Sequence, residues 1–265
     1  MKKSIIILIL FAISTCLVAQ DFEVAPIRIK FINNPGDTET KTITVKNHGN
    51  RKESITLTLR DYIVQRHGDM ELLPAGSTRN SITNWITLNP SFVELQPNEE
   101  ELIQVTFQAP VDDYSSKWGI ISFTSAIERT AYSADQNVQT GLFLSGRIDV
   151  FVSFNPITEK EPNIVLSNLR EITSESDEEK VFAVNIDNLG DVITPCEIYL
   201  VSSNLETSEE QKFKTHKITT YPQSSRTLEL RLPDVLDKGE YSLAAILDYG
   251  IKSNLKGTQI MIEID

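Results

Sequence analysis

Cysteine and histidine are scarce in this chain of 265 residues, which has two cysteines and three histidines. Two thiols cannot build a disulfide framework or a four-thiolate zinc site, and His48, His67 and His216 are too few for a histidine metal cluster. The sequence also lacks Gly-x-Ser-x-Gly, His-Glu-x-x-His and phosphate-loop motifs. We therefore expect no enzyme activity, no metal and no cofactor.

An excess of basic residues is also missing. The chain carries 25 Lys and Arg against 37 Asp and Glu, for a formal net charge of −12. A nucleic-acid binder needs a basic face to displace counterions from phosphates, so this balance argues against nucleic acid as a partner.

Long hydrophobic runs are absent except at the beginning of the chain. A charged start, Met1-Lys2-Lys3, is followed by an almost wholly apolar stretch that ends at Val18. This is the pattern of a secretory signal peptide, and it is too short for a comfortable membrane span. We predict a signal peptide over residues 1–20 and an exported, soluble product. Lipidation of Cys16 is the alternative, but its neighbours Thr15 and Leu17 do not fit a lipidation motif.

A helical repeat of apolar residues is likewise missing, and short alternating runs take its place. Ile27, Ile29 and Phe31, for example, alternate with Arg28 and Lys30, which is typical of a half-buried strand. Many such runs at regular spacing predict an all-β protein with two tandem immunoglobulin-like β-sandwiches. We place the first sandwich at residues 21–156, a charged linker bracketed by Pro156 and Pro162 at 157–162, and the second sandwich at 163–265.

Two residues of the second half carry sharper expectations. Tyr241, in Asp237-Lys238-Gly239-Glu240-Tyr241, has the spacing of a tyrosine corner, in which the phenol bonds to backbone just upstream. Cys196 shares its parity with Ile198 and Leu200, so a strand would place it on a mostly apolar face as a buried, inert thiol.

A sugar binder would need clustered exposed aromatics, whereas Trp85 and Trp118 both lie in strand-like runs.

The first half resembles the periplasmic pilus-assembly (PapD-like) chaperones. The residues that carry the resemblance are, in order, Pro26 to Phe31 with its arginine, Thr42 to Asn47, Trp85 to Pro97 with its Pro-x-x-phi-x-Leu-x-Pro segment, and the alternating run from Leu142 to Phe154. The resemblance covers roughly residues 22–156, and the second sandwich matches only in kind. It implies a periplasmic location and protein partners: envelope or pilus subunits, with an outer-membrane usher or a secretion pore as a possible further partner.

The resemblance also implies a mechanism. A pilus subunit lacks one strand of its sandwich, and the chaperone lends its own edge strand to the exposed apolar groove. On this chain the predicted donor segment begins at Leu142 and Leu144. Ile148 lies on the same face and is a further candidate contact, although Ile148 to Phe154 equally fits plain core.

In the same family a pair of basic residues in the cleft between domains anchors the C-terminal carboxylate of the subunit. Arg28 matches the cleft arginine. Arg147 has the correct parity for the second basic residue, but counting from the end of the run places Asp149 there instead, and an acid would repel a carboxylate.

Two function classes follow from these observations. The first is a periplasmic chaperone-like protein that binds envelope or fimbrial subunits by strand donation. The alternative is a structural or adhesive component of a cell-envelope or secretion complex. The chaperone predicts a partly exposed apolar strand near residues 135–146, whereas the structural component predicts that this strand is fully covered.

Overall fold

The computed structural model of the protein describes residues 22–125, 145–157, 162–250 and 255–264. The predicted signal peptide with Cys16 and the predicted donor residues Leu142 and Leu144 lie outside the described residues. Within the described part of the chain, no helix has the length and apolar character needed to cross a membrane.

Ten strands form two facing sheets in the N-terminal half. The first sheet has the order β1-β3-β8-β6 and the second the order β2-β10-β9-β4-β5, with β7 also paired to β4. All these pairs are antiparallel except β2 with β10, which is parallel. The strands are β1 Phe22–Ala25, β2 Arg28–Asn33, β3 Thr38–Asn47, β4 Glu53–Val64, β5 Met70–Pro74, β6 Ile86–Asn89, β7 Phe92–Leu95, β8 Glu100–Gln108, β9 Lys117–Ser125 and β10 Arg147–Pro156.

Eight further strands form the two sheets of the C-terminal half. One has the order β11-β12-β16 and the other β14-β13-β17-β18, with β15 also paired to β13. The predicted fold class, two tandem immunoglobulin-like β-sandwiches, is confirmed. The strands are β11 Ile164–Glu171, β12 Lys180–Asn188, β13 Thr194–Asn204, β14 Glu210–Lys212, β15 His216–Thr220, β16 Ser224–Leu232, β17 Gly239–Asp248 and β18 Lys256–Ile264.

The apolar faces of the alternating strands meet inside each sandwich. In the first, the rings of Phe31, Phe107 and Phe154 stack in series, with centroid distances of 5.1 Å and 4.8 Å. All three rings are fully buried, and burial of a side chain of this size contributes roughly 1.5–3 kcal/mol to folding. Because the strand period is two, the alternate residues, among them Arg28, point to the outer face of the sheet.

The two expectations for the second sandwich are met by its side-chain contacts. The hydroxyl of Tyr241 donates a hydrogen bond to the backbone oxygen of Asp237 at 2.9 Å, so the predicted tyrosine corner is present. Cys196 is 4% exposed and belongs to the second core. Burial raises the pKa of its thiol to about 11, which keeps the sulfur protonated and unreactive at neutral pH.

Trp85 departs from the strand expected for it. It ends a short 3-10 helix over Thr83–Trp85, its amide donates to the oxygen of Ile82 at 2.9 Å, and it is 38% exposed. The hydroxyl of Ser81 accepts the amide of Thr83 at 3.2 Å. A local side-chain bond of this kind favours a turn over a sheet ladder, so the strand begins one residue later, at Ile86.

Candidate site at the β10 edge and the cleft between the sandwiches

The edge of β10 is determined by a strand that changes sheets. β1 pairs with β3 in the first sheet, and after Pro26 the chain crosses so that β2 pairs with β10 in the second. β2 reaches only the second half of β10, from Phe151 to Pro156, while β9 pairs with β10 along Arg147–Phe154. No described residue pairs with the other side of Arg147–Val150, which we call the open edge.

Arg147 and Asp149 present their backbone groups at the open edge, as two neighbouring hydrogen bonds indicate. The amide of Phe151 donates to the oxygen of Ile27 on the β2 side, whereas the oxygen of Gly146 accepts from the amide of Ser125 on the β9 side, both at 3.0 Å. Since peptide groups alternate along a strand, the N–H and C=O of Arg147 and Asp149 point to the open edge. Such unpaired groups are a template for an added strand.

The side chains of the open edge alternate in the usual way. Ile148 is half-buried and packs against the first core, and Val150 is fully buried. Arg147 and Asp149 lie on the outer face, where Nη2 of Arg147 is 3.3 Å from Oδ2 of Asp149. The hydroxyl of Ser122 donates to Oδ1 of Asp149 at 2.7 Å. Arg147 therefore forms an ion pair with Asp149, the residue that the alternative count places at the position of the second basic residue.

An aromatic cluster joins the two sandwiches beside β10. Tyr221 of the second sandwich packs edge-on against Tyr62, with ring centroids 5.8 Å apart. It also packs in a tilted arrangement against Trp118, with ring centroids 5.1 Å apart. Tyr62 also meets Phe151 at 5.7 Å. Burial and the neighbouring Tyr221 raise the pKa of Tyr62 well above its ordinary value of 10.0, so this hydroxyl keeps its proton.

Polar contacts reinforce the junction on one side of the cluster. The amide of Ile193 donates to Oγ of Ser116 at 2.9 Å, and Nδ2 of Asn155 donates to the oxygen of Ile193 at 3.0 Å. The amide of Ser116 donates to the oxygen of Asp191 at 2.8 Å. Because these bonds tie the end of β10 to the second sandwich, the junction holds the cleft walls in place.

Two adjoining cavities open between the sandwiches, and Arg28 and Tyr221 line both. The larger has a volume of about 660 Å³ and the smaller about 250 Å³. Besides these two residues, the larger is lined by Val64, Gly68, Pro195, Cys196, Glu197, Lys217, Ile218, Thr219, Arg226, Asp248, Tyr249 and Gly250. The smaller is lined mostly by β2 and β10.

Arg28 is an exposed cation at the mouth of this cleft. Its guanidinium carbon lies 5.1 Å from the centroid of the Phe151 ring, and the register pairs the same two residues. A contact of this kind favours an arginine by roughly 0.5–1 kcal/mol at an exposed site. No carboxylate of the described chain lies within ion-pairing distance of Arg28, so the guanidinium keeps its charge available.

The structure does not bring all predicted site residues together. Of the predicted residues that the structure describes, Arg28 faces the cleft, but the residues that line the two cavities do not include Arg147 or Ile148. The cations that share the larger cavity with Arg28 are Lys217 and Arg226 of the second sandwich. Local patterning had no means of finding these two, because each lies on an ordinary alternating strand far from Arg28 in sequence.

No family model and no curated protein matches the sequence. Solved structures that are similar to it include the class 5 fimbriae chaperone CfaA, with 14% identity over 92% of this chain and 99% of that one and a TM-score of 0.48. The Salmonella enterica SafB chaperone, solved with the SafA pilin, is 12% identical over 91% and 97% of the two chains, with a TM-score of 0.43.

A third similar structure is the CsuC–CsuE chaperone–tip adhesion subunit complex from Acinetobacter baumannii, with 11% identity over 79% of this chain and 90% of that one and a TM-score of 0.43. These structures belong to the type of protein that the sequence resembles.

Proposed function

We propose that this protein is a periplasmic chaperone-like protein that binds subunits of an envelope or pilus assembly by β-strand addition at β10. The observation that carries the proposal is the open edge at Arg147–Val150, where Arg147 and Asp149 present unpaired backbone groups. An extended segment of a partner would pair with these groups, because edge addition supplies main-chain hydrogen bonds without any further rearrangement. Leu142 and Leu144, which precede the open edge, would fill the apolar groove of that partner.

The neighbouring cleft supports the same function. Arg28 lies opposite Phe151, at the point where β2 begins to cover β10. A partner strand that ran along the open edge parallel to β10 would end there, so its terminal carboxylate would meet a guanidinium that has no carboxylate partner among the described residues. Ile148 and Arg147 would contact the added strand from its two faces. Enzyme activity has no part in this proposal.

The open edge can be blocked with one substitution. Asp149→Pro removes an N–H that points outward, so it leaves the β9 ladder intact while preventing one bond to an added strand. Asp149→Ala is the matched control, since it also loses the carboxylate but keeps the N–H. We expect Asp149→Pro to reduce partner capture at least about 10-fold relative to Asp149→Ala, because each lost pairing costs on the order of 1–3 kcal/mol.

Capture is measured with a photo-crosslinking amino acid at Arg147, in cells that make the protein, followed by identification of the crosslinked envelope proteins. Leu142→Glu with Leu144→Glu should also abolish capture without unfolding the sandwich. Equal crosslinking in Asp149→Pro and Asp149→Ala would remove strand addition at β10 and leave the structural or adhesive component as the better explanation.

A further inference from the structure

Strand β18 of the second sandwich has one edge that nothing in the described chain covers. It pairs with β17 along its whole length, from Lys256 to Ile264, without a register shift. No described residue pairs with its other side, which we call the β18 edge. An uncovered edge of nine residues is unusual in a folded protein, because a row of unpaired backbone groups can recruit another chain.

One hydrogen bond on the far side of β17 shows which backbone groups point to the β18 edge. The oxygen of Glu240 accepts the amide of Leu205 at 3.0 Å, on the β13 side of β17. Peptide groups alternate along a strand, so the N–H and C=O of Tyr241 point to β18, where they pair with Ile262. The alternate residues of β18 therefore direct their N–H and C=O groups to the β18 edge. These residues are Gly257, Gln259, Met261 and Glu263.

The other outer strands of the four sheets carry the devices that protect folded proteins against strand addition. β1, β5, β6, β7, β14 and β15 are short, with three to five residues each. β2 has the exposed cations Arg28 and Lys30. β11 has a register shift between Ser167 and Arg170. In β16, the amide of Thr227 already donates to the β4–β5 turn of the first sandwich.

β18 has none of these devices. It contains no proline, and its charged residues, Lys256 and Glu263, lie near its two ends. Between them Met261 is 63% exposed, and the side chains of Ile260 and Ile262 are only partly buried against the second core. The strand therefore offers apolar side chains as well as backbone groups to a partner.

We infer that β18 pairs with the β18 of a second copy of this chain, in an antiparallel two-fold dimer centred on Ile260. This register pairs all nine residues of the strand, because Lys256 of one copy then lies opposite Ile264 of the other. The dimer is independent of the proposed function, since that function uses β10 of the first sandwich. It leaves β10 and the cleft free in both copies.

The β18 edge is complementary to itself in this register. Gly257 lies opposite Glu263 of the second copy and Gln259 opposite Met261, so the residues with outward backbone groups meet and can form about eight hydrogen bonds. No two like charges lie opposite each other, because each Glu263 faces a glycine. Ile260 meets its own copy at a non-hydrogen-bonded pair, where cross-strand side chains approach most closely and a β-branched pair is favourable.

The same geometry stops the association at two copies. A two-fold contact uses the same edge in both chains, so neither copy keeps a free β18 edge. The far end of the joined sheet is formed by β14, whose three residues, Glu210–Lys212, include two charged ones. We therefore expect a closed dimer and no filament.

Sedimentation of the whole exported chain measures the association. A single pair of strands buries a small interface, so we expect a reversible dimer with a Kd on the order of 1–100 μM. Met261→Pro removes an N–H that points to the β18 edge and leaves the β17 ladder intact. Met261→Ala is the matched control, because it also loses the exposed side chain but keeps the N–H.

We expect Met261→Pro to raise the Kd at least about 10-fold relative to Met261→Ala. Amide NMR spectra of both variants check that the second sandwich stays folded. A wild-type chain that remains monomeric at about 0.5 mM, well above the expected Kd, would overturn the inference. Equal Kd values in the two folded variants would also overturn it, because the dimer would then use another surface.

Cysteine crosslinking tests the register separately. Chains with Gln259→Cys and chains with Met261→Cys are mixed and oxidised, and the native Cys196 is buried and does not compete. Opposite residues of a hydrogen-bonded pair have Cα atoms about 5.5 Å apart, which suits a disulfide. In either variant alone the two thiols are offset along the strands, with Cα atoms more than about 7 Å apart.

The expected product is a disulfide dimer that contains one chain of each variant, identified by mass spectrometry of the mixture. Either variant oxidised alone should give at least about 10-fold less dimer. Equal yields in the mixture and in the separate variants would exclude pairing centred on Ile260 and overturn the inference.

Discussion

Tyr62 and Tyr221 join the two sandwiches through a hydrogen bond between their hydroxyl oxygens, which lie 2.8 Å apart. One comes from β4 and the other from the loop between β15 and β16. The contact lies beside both cavities, because Tyr221 lines each of them and Tyr62 lines the smaller. The shape of the cleft therefore depends on this pair of rings.

The raised pKa of Tyr62 makes the stability of the protein sensitive to alkali. Unfolding returns this tyrosine to its ordinary pKa of 10.0, so the unfolded state loses a proton above that pH while the folded state keeps it. The contribution of Tyr62 to the free energy of unfolding is then fully present below pH 10. It falls above that pH, by up to about 1.4 kcal/mol per pH unit for one group. The Tyr62→Phe variant lacks this contribution.

Urea unfolding from pH 8 to pH 11 measures the effect. At pH 8 the variant should be less stable by about 1 kcal/mol, because it loses the bond to Tyr221. Above pH 10 the two stability curves should converge. Curves that stay parallel across this range would show that Tyr62 titrates normally in the folded protein.

Amide hydrogen exchange should alternate along the start of β10. The amides of Ile148 and Val150 point to β9 and are expected to be protected, whereas those of Arg147 and Asp149 point to the open edge and should exchange at least about 100-fold faster. NMR of the isolated chain gives all four rates, with Val152 as a protected reference deeper in the strand. Equal protection at all four positions would mean that another segment already covers the edge.

Cys196 should be nearly inert in the folded protein. Burial raises the pKa of its thiol to about 11 from an ordinary value of 9.0, so the thiolate fraction falls about 100-fold, and burial also slows access of the reagent. Alkylation by iodoacetamide at pH 8, read at the Cys196 peptide by mass spectrometry, should be at least about 100-fold slower in buffer than in concentrated urea. Comparable rates would place the thiol at an exposed position.

The tyrosine corner should stabilise the second sandwich measurably. Tyr241→Phe removes the bond to the oxygen of Asp237 and is expected to cost about 1 kcal/mol. Tyr114→Phe is the control, because Tyr114 is exposed and loss of its hydroxyl should change stability by less than about 0.5 kcal/mol. The urea midpoints of the two variants give the comparison. Equal midpoints would mean that the hydrogen bond of Tyr241 does not stabilise the protein.

Local pattern was sufficient for much of this protein. The alternation of apolar and polar residues determined the all-β class, the inward face of Phe31, the outward face of Arg28 and the burial of Cys196, because a strand has a period of two and each face meets one environment. The tyrosine corner at Tyr241 was also readable, since its partner lies four residues away. Trp85 was the exception, because a side-chain bond from Ser81 favoured a helical turn over the strand.

Only the tertiary structure decided where the chain is left open and what meets across the cleft. The open edge at Arg147–Val150 exists because β2 changes sheets before it can cover the first half of β10, and nothing in the alternation of either strand records which neighbour it takes. The tertiary structure also decided that Arg28 and Arg226 line one cavity. Their approach depends on how two independently patterned sandwiches pack around Tyr62 and Tyr221, and contacts between residues so distant in sequence have no local signature.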